Sequence, residues 1–227
     1  MPVRFGRRIP EPTIARLPIY HRVLLDLARA SVVTVSSAEL AGACGVNAAK
    51  VRKDLSLFGS YGTPGTGYRV DYLLRQIQLE LGLDRQRPVV MAGMGYLGHA
   101  LARSPGFVAG GFHIAGLFDV DPDKVGEIVG GAMVRHISEL AQICQAEKVS
   151  LGIITTPAPA AQDVCDLMTE GGVRAILNFA PAVLSTPPAV QVRHVDFSAE
   201  LHVLAFYQAH PESVPGPVHQ EFAAGTG

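Results

Sequence analysis

The sequence has few cysteines, few charges and no long apolar run, and each shortage excludes a class of protein. Its three cysteines are an odd number without close spacing, which argues against a disulfide framework and against a zinc cluster. No apolar run approaches the roughly 20 residues that a membrane-spanning helix needs. Charged residues make up 17% of the chain and hydrophobic residues 48%, which is typical of a globular protein. We therefore expect a globular protein that binds neither a metal nor a membrane.

The charges that are present are unevenly distributed. Residues 1–87 hold 13 Lys and Arg against 7 Asp and Glu, for a net charge of +6, whereas the remaining 6 bases and 13 acids give residues 88–227 a net charge of −7. A basic segment joined to an acidic one favours a polyanion partner for the first, although two unrelated solvated surfaces remain the alternative. The start, MPVRFGRRIPEP, lacks the apolar core of a signal peptide, so we expect a cytoplasmic protein.

The basic segment contains a predicted helix-turn-helix. The run LPIYHRVLLDLARAS has the apolar spacing of a helix with one buried face. Ser36 and Glu39 form a capping box for a second, short helix that should end near Gly45. Asn47 can cap a third helix that ends before Gly59. Two helices separated by a short turn containing a glycine are typical of this motif.

The third helix places Lys50, Arg52 and Lys53 within one turn, where they can reach phosphates or guanine edges in the major groove. An ordinary solvated helix face is the alternative. After it, GSYGTPGTGY has the composition of a tight hairpin, which suits the wing of a winged helix, and VDYLLRQIQLELGL is again amphipathic. Residues 17–81 are therefore predicted to form a winged-helix DNA-binding domain.

Beyond the polar connection of residues 82–88, short apolar runs alternate with helical stretches, which indicates a parallel sheet with crossover helices. Gly93, Gly95 and Gly98 form G-x-G-x-x-G at the end of the first of these strands. The glycines allow a tight turn, the approach of a pyrophosphate to the backbone, and close packing of helix on strand. By itself this pattern is weak, because a merely tight turn has the same spacing.

Asp119, at the end of the next strand, strengthens the prediction of a dinucleotide site. A carboxylate there accepts hydrogen bonds from a ribose diol and repels a 2′-phosphate, which favours NAD(H) over NADP(H). Asp121, followed by Pro122, is predicted to cap the next helix. An enzyme would need a positioned acid or base, and the later histidines stand in no recognisable catalytic pattern; they are His136, His194 and His202.

The C-terminal segment SAELHVLAFYQAH is predicted to be a short amphipathic helix with a capping pattern that starts at Ser198. Its apolar stripe can pack against its own domain or against a partner subunit, and the sequence allows both equally. Residues 211–227 are rich in proline and glycine, which predicts a disordered tail.

Taken together, several ordered motifs resemble the Rex family of redox-sensing transcriptional repressors over roughly residues 12–209: VSSAELAGACGVNAAKVRKDLSLFGSYGTPGTGY, GMGYLG, FDVDPDKVG, ILNFAP and VDFSAEL. The resemblance implies an α/β chain in which a winged-helix DNA-binding domain (12–82) precedes a Rossmann NAD(H)-binding domain with a parallel sheet (83–197). It further implies a homodimer in which the C-terminal helix (198–210) swaps between subunits.

The same resemblance implies a repressor that binds operator DNA as the apo or NAD⁺ form, releases it when NADH accumulates, and has no catalytic residue. The implied DNA-binding residues are Lys50, Arg52, Lys53, Ser60, Tyr61 and Gly62. The implied cofactor-binding residues are Gly93, Met94, Gly95, Tyr96, Leu97, Gly98, Ser104, Asp119, Pro157, Asn178 and Phe179. Arg22 and Asp196 occupy the places of an inter-subunit polar pair that reports the cofactor state.

Three residues depart from the family pattern. Pro64 stands in the wing where a basic residue is frequent, Tyr96 replaces an Asn or Arg in the glycine turn, and Ser104 stands where a tyrosine near the nicotinamide is common. Two alternatives remain, and only the second of them rests on these departures. One is an NAD-dependent oxidoreductase with an accessory helical domain, and the other is a Rex-like regulator that has lost its redox response.

Overall fold

The structure is a computed structural model that describes residues 9–59, 61–63 and 66–213. The chain divides into two compact units, of which the first ends at Asp84 and the second extends from Arg85 to Ser213. Within the first unit the elements are α1 (Glu11–Arg29), β1 (Thr34–Val35), α2 (Ser37–Cys44), α3 (Ala48–Ser56), β2 (Gly62–Thr63), β3 (Gly67–Arg69) and α4 (Val70–Glu80).

The helix ends of this unit confirm the predicted caps. Ser36 and Glu39 form the capping box of α2, which ends at Gly45 in the left-handed conformation with a φ of 68°. The side chain of Asn47 accepts the N–H of Lys50 at the start of α3. The first helix begins at Glu11, earlier than predicted, because Pro12 lies in the first turn, where a missing N–H leaves no hydrogen bond unmade.

The three short strands form an antiparallel sheet in the order β1-β3-β2, in which Tyr68 pairs with Val35 on one side and Gly62 on the other. This sheet confirms the hairpin predicted after α3. Side chains of the helices and strands close one apolar core, whose fully buried members include Tyr20, Leu24, Leu40, Val51, Leu55, Leu73 and Ile77. The first unit is therefore a winged helix.

The second unit alternates strands and helices. Its strands are β4 (Arg87–Ala92), β5 (Phe112–Asp119), β6 (Ile128–Val129), β7 (Ala132–His136), β8 (Leu151–Ile154), β9 (Ala175–Asn178) and β10 (Gln191–His194). Its helices are α5 (Tyr96–Ala102), α6 (Pro105–Ala109), α7 (Leu140–Ala146), α8 (Ala158–Glu170) and α9 (Phe197–Ala209), with 3₁₀ turns at Ile137–Glu139 and Pro211–Ser213.

The sheet of this unit has the order β10-β9-β8-β4-β5-β7-β6, and all its neighbouring strands are parallel except β6 and β7. Counting only the parallel strands in chain order, this is the arrangement 3-2-1-4-5-6 of a dinucleotide-binding sheet. Alternate residues of β4 supply two cores, with Val89 and Met91 on one face and Val90 and Ala92 on the other. The predicted Rossmann fold is confirmed.

Two local predictions in this unit are wrong. Asp121 does not cap a helix: its carbonyl accepts the N–H groups of Lys124 and Val125, and the chain then enters the β6–β7 hairpin. Gly126 explains the difference, because its φ of 94° ends the turn. Ser198 is not the cap of α9, since Asp196 accepts the N–H groups of Ser198 and Ala199 and the helix begins at Phe197.

The helix α9 buries none of its residues against the described part of the chain. Its apolar side chains are about half exposed or more, namely Phe197, Leu201, Val203, Leu204 and Phe206. Of the two alternatives for its apolar surface, burial against its own domain is therefore not observed among the described residues. Most of the predicted C-terminal tail, residues 214–227, lies outside the described residues.

Candidate dinucleotide and DNA sites

The glycine turn lies between β4 and α5, at the carboxyl edge of the parallel sheet. Gly93 has a φ of 98°, and a Cβ atom there would lie 2.7 Å from backbone atoms of Thr155 and Thr156. A Cβ atom on Gly98 would collide with the carbonyl oxygen of Gly93. Both positions therefore require glycine, the first for the turn and the second for the packing of α5 on the strand.

Gly95 differs because the space beside it is open. Its φ of −81° suits any residue, and a Cβ atom there would meet no atom of the described residues within 4 Å. Next to it Tyr96 is fully exposed and Leu97 half-buried, whereas Met94 is buried. An open backbone between two sterically required glycines is the cradle that a pyrophosphate enters in sheets of this order. The turn thus fits the predicted dinucleotide.

Asp119 ends β5 with its carboxylate buried beside this turn. Its Oδ2 accepts the N–H of Met94 at 2.6 Å, and its Oδ1 accepts the N–H of Asp121 at 2.9 Å. Burial raises the pKa of this carboxyl, but the N–H groups and the ammonium of Lys124 outweigh burial, so the pKa of Asp119 lies below its usual value. The carboxylate is therefore ionised at neutral pH and ties the glycine turn to the end of the neighbouring strand.

A third segment, after β8, completes the edge of the sheet. The hydroxyl of Thr155 donates to the carbonyl of Gly93 at 2.7 Å, which fixes the turn. The Oγ1 atom of Thr156 is buried without a hydrogen-bond partner among the described residues. Because β4 and β8 flank the point where the strand order reverses, this orphan hydroxyl lies where a ligand is expected. Thr156 was not predicted from the sequence, although its place at a strand end was the available signal.

The other implied cofactor residues differ from one another in exposure and in hydrogen bonding. Pro157 is exposed and precedes α8. Phe179 follows β9 with its ring 6.1 Å from that of Phe197.

Asn178 is fully buried, and its side chain forms hydrogen bonds within the chain. It accepts the N–H of Ala180, and its amide donates to backbone carbonyls of residues 180 and 182. Ser104 lies beyond the far end of α5, where its hydroxyl accepts the N–H of Gly106.

His99 and Glu127 form a contact that sequence analysis did not anticipate. The His99 ring lies 3.0 Å from the Glu127 carboxylate through Nε2 and 2.9 Å from the Gly95 carbonyl through Nδ1. The hydrogen bond to Glu127, followed by that to Gly95, raises the pKa of His99. The pair joins α5 to the connection between β5 and β6.

The candidate DNA surface lies on α3 and the wing of the first unit. Arg52 and Lys53 are exposed and Lys50 is half-buried. The Arg52 guanidinium donates to the hydroxyl of Ser37 at 2.9 Å, which links it to the start of α2. In the wing, Tyr61 is half-buried with its hydroxyl donating to the carbonyl of Phe58, and Gly62 is exposed. Ser60 and Pro64 lie outside the described residues.

The implied switch residues belong to different units. Arg22 is exposed on α1, and Asp196 is exposed at the start of α9. Within residues 9–59, 61–63 and 66–213, no group of three His, Cys, Asp or Glu side chains is placed to hold a metal ion. The helices of that same part of the chain are too short or too polar to cross a membrane.

Comparison with known proteins places each unit among relatives. Residues 8–56 match a family model described as "Putative DNA-binding protein N-terminus", and residues 84–182 match one described as "CoA binding domain". The redox-sensing transcriptional repressor Rex of Streptomyces coelicolor is 55% identical over 207 residues, which cover 91% of this chain and 80% of that protein.

Solved structures agree with these sequence matches. RSP, a Rex-family repressor, in complex with β-NAD⁺ and operator DNA is similar with a TM-score of 0.84 at 33% identity, covering 91% of this chain and 95% of RSP. RSP in complex with β-NADH is similar with a TM-score of 0.80 at 32% identity, covering 91% of this chain and 97% of RSP.

Proposed function

Because this chain belongs to the Rex family of redox-sensing transcriptional repressors, we propose that it binds operator DNA as a homodimer and releases it when NADH binds. The observation that carries the proposal is the combination of a winged helix with an exposed basic helix and a 3-2-1-4-5-6 sheet with an open glycine turn at its switch point. The dinucleotide then serves as a ligand whose redox state is read, and the protein transfers no hydride. It acts in the cytoplasm, where its operators are.

On the DNA side, we assign α3 to the major groove. Arg52 and Lys53 are exposed there, and a guanidinium or ammonium donates to guanine edges and to phosphates. Ser37 holds the Arg52 side chain, which reduces the entropy that Arg52 loses when it meets a base. We also assign contacts with the DNA phosphates to Lys50 and to three residues of the wing, namely Ser60, Tyr61 and Gly62. Such contacts make affinity fall steeply with salt.

On the cofactor side, we assign the pyrophosphate to the glycine turn and the adenosine ribose to Asp119. The turn supplies Gly93, Met94, Gly95, Tyr96, Leu97 and Gly98, and the segments after the neighbouring strands supply Pro157 and Phe179, with Ser104 farther along the chain. Thr156 adds a buried hydroxyl that lacks a partner among the described residues. Asn178 acts indirectly, because its hydrogen bonds hold the loop of residues 179–182.

The apolar surface of α9 supports the homodimer. Phe197, Leu201 and Leu204 are 60%, 64% and 60% exposed, and burying side chains of this size contributes about 1.5–3 kcal/mol each. A second copy of the chain gives such a helix the apolar partner that the described part of its own chain does not provide. We therefore assign α9 to the dimer interface, as a helix that swaps between subunits.

A response to NADH requires that NADH bind two arrangements of the dimer with different affinities. NADH shifts the equilibrium only if it binds the arrangement that does not fit DNA more tightly than the arrangement that does. We propose that Arg22 of one subunit and Asp196 of the other form an ion pair in the DNA-competent dimer and separate on NADH binding. Both side chains are exposed in the single chain, so each is accessible to a partner.

The experiment that tests the function is an operator titration. A fluorescent pseudo-palindromic duplex is first selected from a randomised pool by the apo protein, and it is then titrated with protein at several salt concentrations, alone and with NADH or NAD⁺. Lys53→Gln should weaken binding and lower the salt slope by about 1, whereas Lys148→Gln, an exposed lysine of the second unit, should change neither.

Each outcome has a definite meaning. Release by NADH alone supports the sensor. Release by neither dinucleotide contradicts the redox response and favours a regulator that has lost it. Hydride transfer with simple alcohols or aldehydes contradicts the assignment as a non-enzyme. Failure to select or bind any duplex at low salt contradicts the repressor itself.

A further inference from the structure

Lys124 joins two carboxylates at the end of β5. Its Nζ atom lies 3.3 Å from Oδ2 of Asp119 and 3.4 Å from Oδ2 of Asp121. The side chain of Asp119 is 8% exposed, that of Asp121 40% and that of Lys124 33%, so the cluster is open to solvent on one side. Two carboxylates therefore share one ammonium, and the cluster has a net charge of −1.

The backbone of the turn that carries Lys124 is held by hydrogen bonds of its own. The N–H of Lys124 donates to the carbonyl of Asp121 at 3.1 Å, and Oδ1 of Asp121 accepts the N–H of Asp123 at 3.0 Å. After the turn, the N–H of Gly126 donates to the carbonyl of Val134 in β7. The turn is thus fixed at both ends, and the backbone of Lys124 keeps its place near Asp119 when the charge of one carboxylate is removed.

We propose that Lys124 is a latent ligand for a 2′-phosphate. The site rejects 2′-phosphorylated dinucleotides because Asp119 and Asp121 pair with the Lys124 ammonium, and not because the site lacks a cation. The proposal rests on the proposed function, in which Asp119 binds the adenosine ribose of NAD(H). Sites that accept a 2′-phosphate place a cation at this end of the second strand. Here the cation is present and its charge is outweighed by two carboxylates.

The two carboxylates differ in how strongly they repel a phosphate. Asp119 is the more buried, so its repulsion of a phosphate is screened less by water than that of Asp121. Neutralising either carboxylate brings the cluster from −1 to 0 and leaves the ammonium with one charged partner, so that it can also donate to phosphate oxygens. The gain in affinity for NADPH should accordingly be larger for Asp119→Asn than for Asp121→Asn.

The test is direct titration of the full-length protein with NADH and with NADPH, followed by the fluorescence of the reduced nicotinamide. The variants are Asp119→Asn and Asp121→Asn, each alone and combined with Lys124→Met. Asp121→Asn is included because Asn keeps the oxygen that accepts the Asp123 N–H, whereas Asp119→Asn places an amide against one of two backbone N–H groups. Lys148→Met, which precedes β8, is the control for loss of a lysine from this unit.

We expect Asp119→Asn to tighten NADPH binding relative to NADH by about tenfold, equivalent to about 1.4 kcal/mol, and Asp121→Asn to do so by less. Lys124→Met should abolish the gain in both backgrounds. Lys148→Met should not abolish it. A gain that survives Lys124→Met, or the absence of a gain in both Asn variants, overturns the proposal while wild-type binding of NADH still supports the proposed function. If the wild-type protein binds neither dinucleotide, the proposed function fails and this inference fails with it.

Discussion

The carboxylate of Asp54 accepts both arms of the Arg16 guanidinium, with Nε 2.7 Å from Oδ2 and Nη2 2.8 Å from Oδ1. The hydroxyls of Thr13 and Tyr20 donate to the same carboxylate at 2.9 and 2.7 Å. Three residues of α1 therefore hold one residue of α3, the helix that we assign to the major groove. The Asp54 side chain is only 2% exposed, so this network is buried and its acceptor is fully used.

Loss of the Asp54 charge should destabilise the winged helix. Asp54→Ala leaves the Arg16 guanidinium, whose side chain is 12% exposed, without its partner, and removal of one member of a buried pair costs about 3–5 kcal/mol. Asp26→Ala, which breaks an exposed pair with Arg29 on the same helix, should cost at most about 1 kcal/mol. The measurement is hydrogen exchange of the α3 amides in the full-length protein. Equal effects of the two substitutions would contradict the role given to the network.

The network also predicts a response to acid. Burial raises the pKa of Asp54, but the hydrogen bonds from Arg16, Tyr20 and Thr13 outweigh burial, so the pKa of Asp54 in the folded protein lies below its usual value. Its contribution to stability is therefore present above the unfolded pKa of about 3.9 and is lost as the pH falls through the folded pKa. Hydrogen exchange of α3 below pH 4 should show this loss in the wild type and not in Asp54→Ala.

The glycine turn allows a substitution that separates binding from stability. Gly95→Ala keeps an allowed φ and meets open space, so it should leave the free energy of unfolding nearly unchanged while the new methyl group occupies the pyrophosphate cradle. Gly98→Ala should instead destabilise the second unit, since its Cβ collides with the Gly93 carbonyl. NADH titration and urea unfolding of both variants measure the two effects. Unweakened NADH binding by Gly95→Ala would argue against this turn as the pyrophosphate site.

What the sequence predicted well depends on residues close to one another in the chain. The capping box of Ser36 and Glu39, the cap at Asn47 and the glycine turn each use groups within a few positions, so their geometry follows from local chemistry. Asp119 was identifiable because its distance from the glycine turn is set by one helix and one strand. The order of the sheet follows once these elements alternate.

The features that were not predicted from the sequence depend on partners far along the chain. Asp54 lies in RKDLS and has the appearance of a solvated charge, but its four donated contacts come from residues 34 to 41 positions earlier. Thr156 acquires its importance from the turn at Gly93, on a different strand. The hairpin of β6 and β7 was missed because Asp121 and Pro122 have the composition of a helix start, whereas Gly126, Gly130 and Gly131 indicate turns.

The position of Asp196 refines the test of the proposed switch. Because its carboxylate caps α9, Asp196→Ala removes both a charge and a cap that contributes about 1 kcal/mol, and the two effects cannot be separated. Asp196→Asn keeps a good capping residue and removes only the charge. We expect it to weaken operator binding by the apo protein and to flatten the NADH response, as Arg22→Gln should.

Two controls make this prediction specific. Glu200→Gln removes a neighbouring exposed charge of α9 and should leave operator binding and the NADH response unchanged. The double variant Arg22→Gln, Asp196→Asn should be no weaker than either single variant, because both remove the same pair. Additive losses, or an Asp196→Asn protein that behaves like Glu200→Gln, would show that the pair does not form.

His21 gives the winged helix a second and separate dependence on pH. The ring is 9% exposed, its Nε2 atom has no hydrogen-bond partner in the described residues, and burial lowers its pKa. A group whose folded pKa is lowered binds its proton more readily in the unfolded chain, so stability falls as the pH drops below the unfolded value of about 6.5. His21 is the only histidine among the first 84 residues, so no other imidazole of this unit titrates in this window.

His21→Leu should remove the loss of stability between about pH 6.5 and 5 while the steeper loss below pH 4, which belongs to Asp54, remains. Hydrogen exchange of the α1 and α3 amides across this range distinguishes the two. The substitution replaces an unpaired buried ring nitrogen by an apolar side chain, so stability at pH 7 should be equal or higher. If the wild type and His21→Leu lose protection in parallel between pH 6.5 and 5, the ring is not neutral and buried as the structure has it, and a hydrogen-bonded histidine on the surface of α1 is the better description.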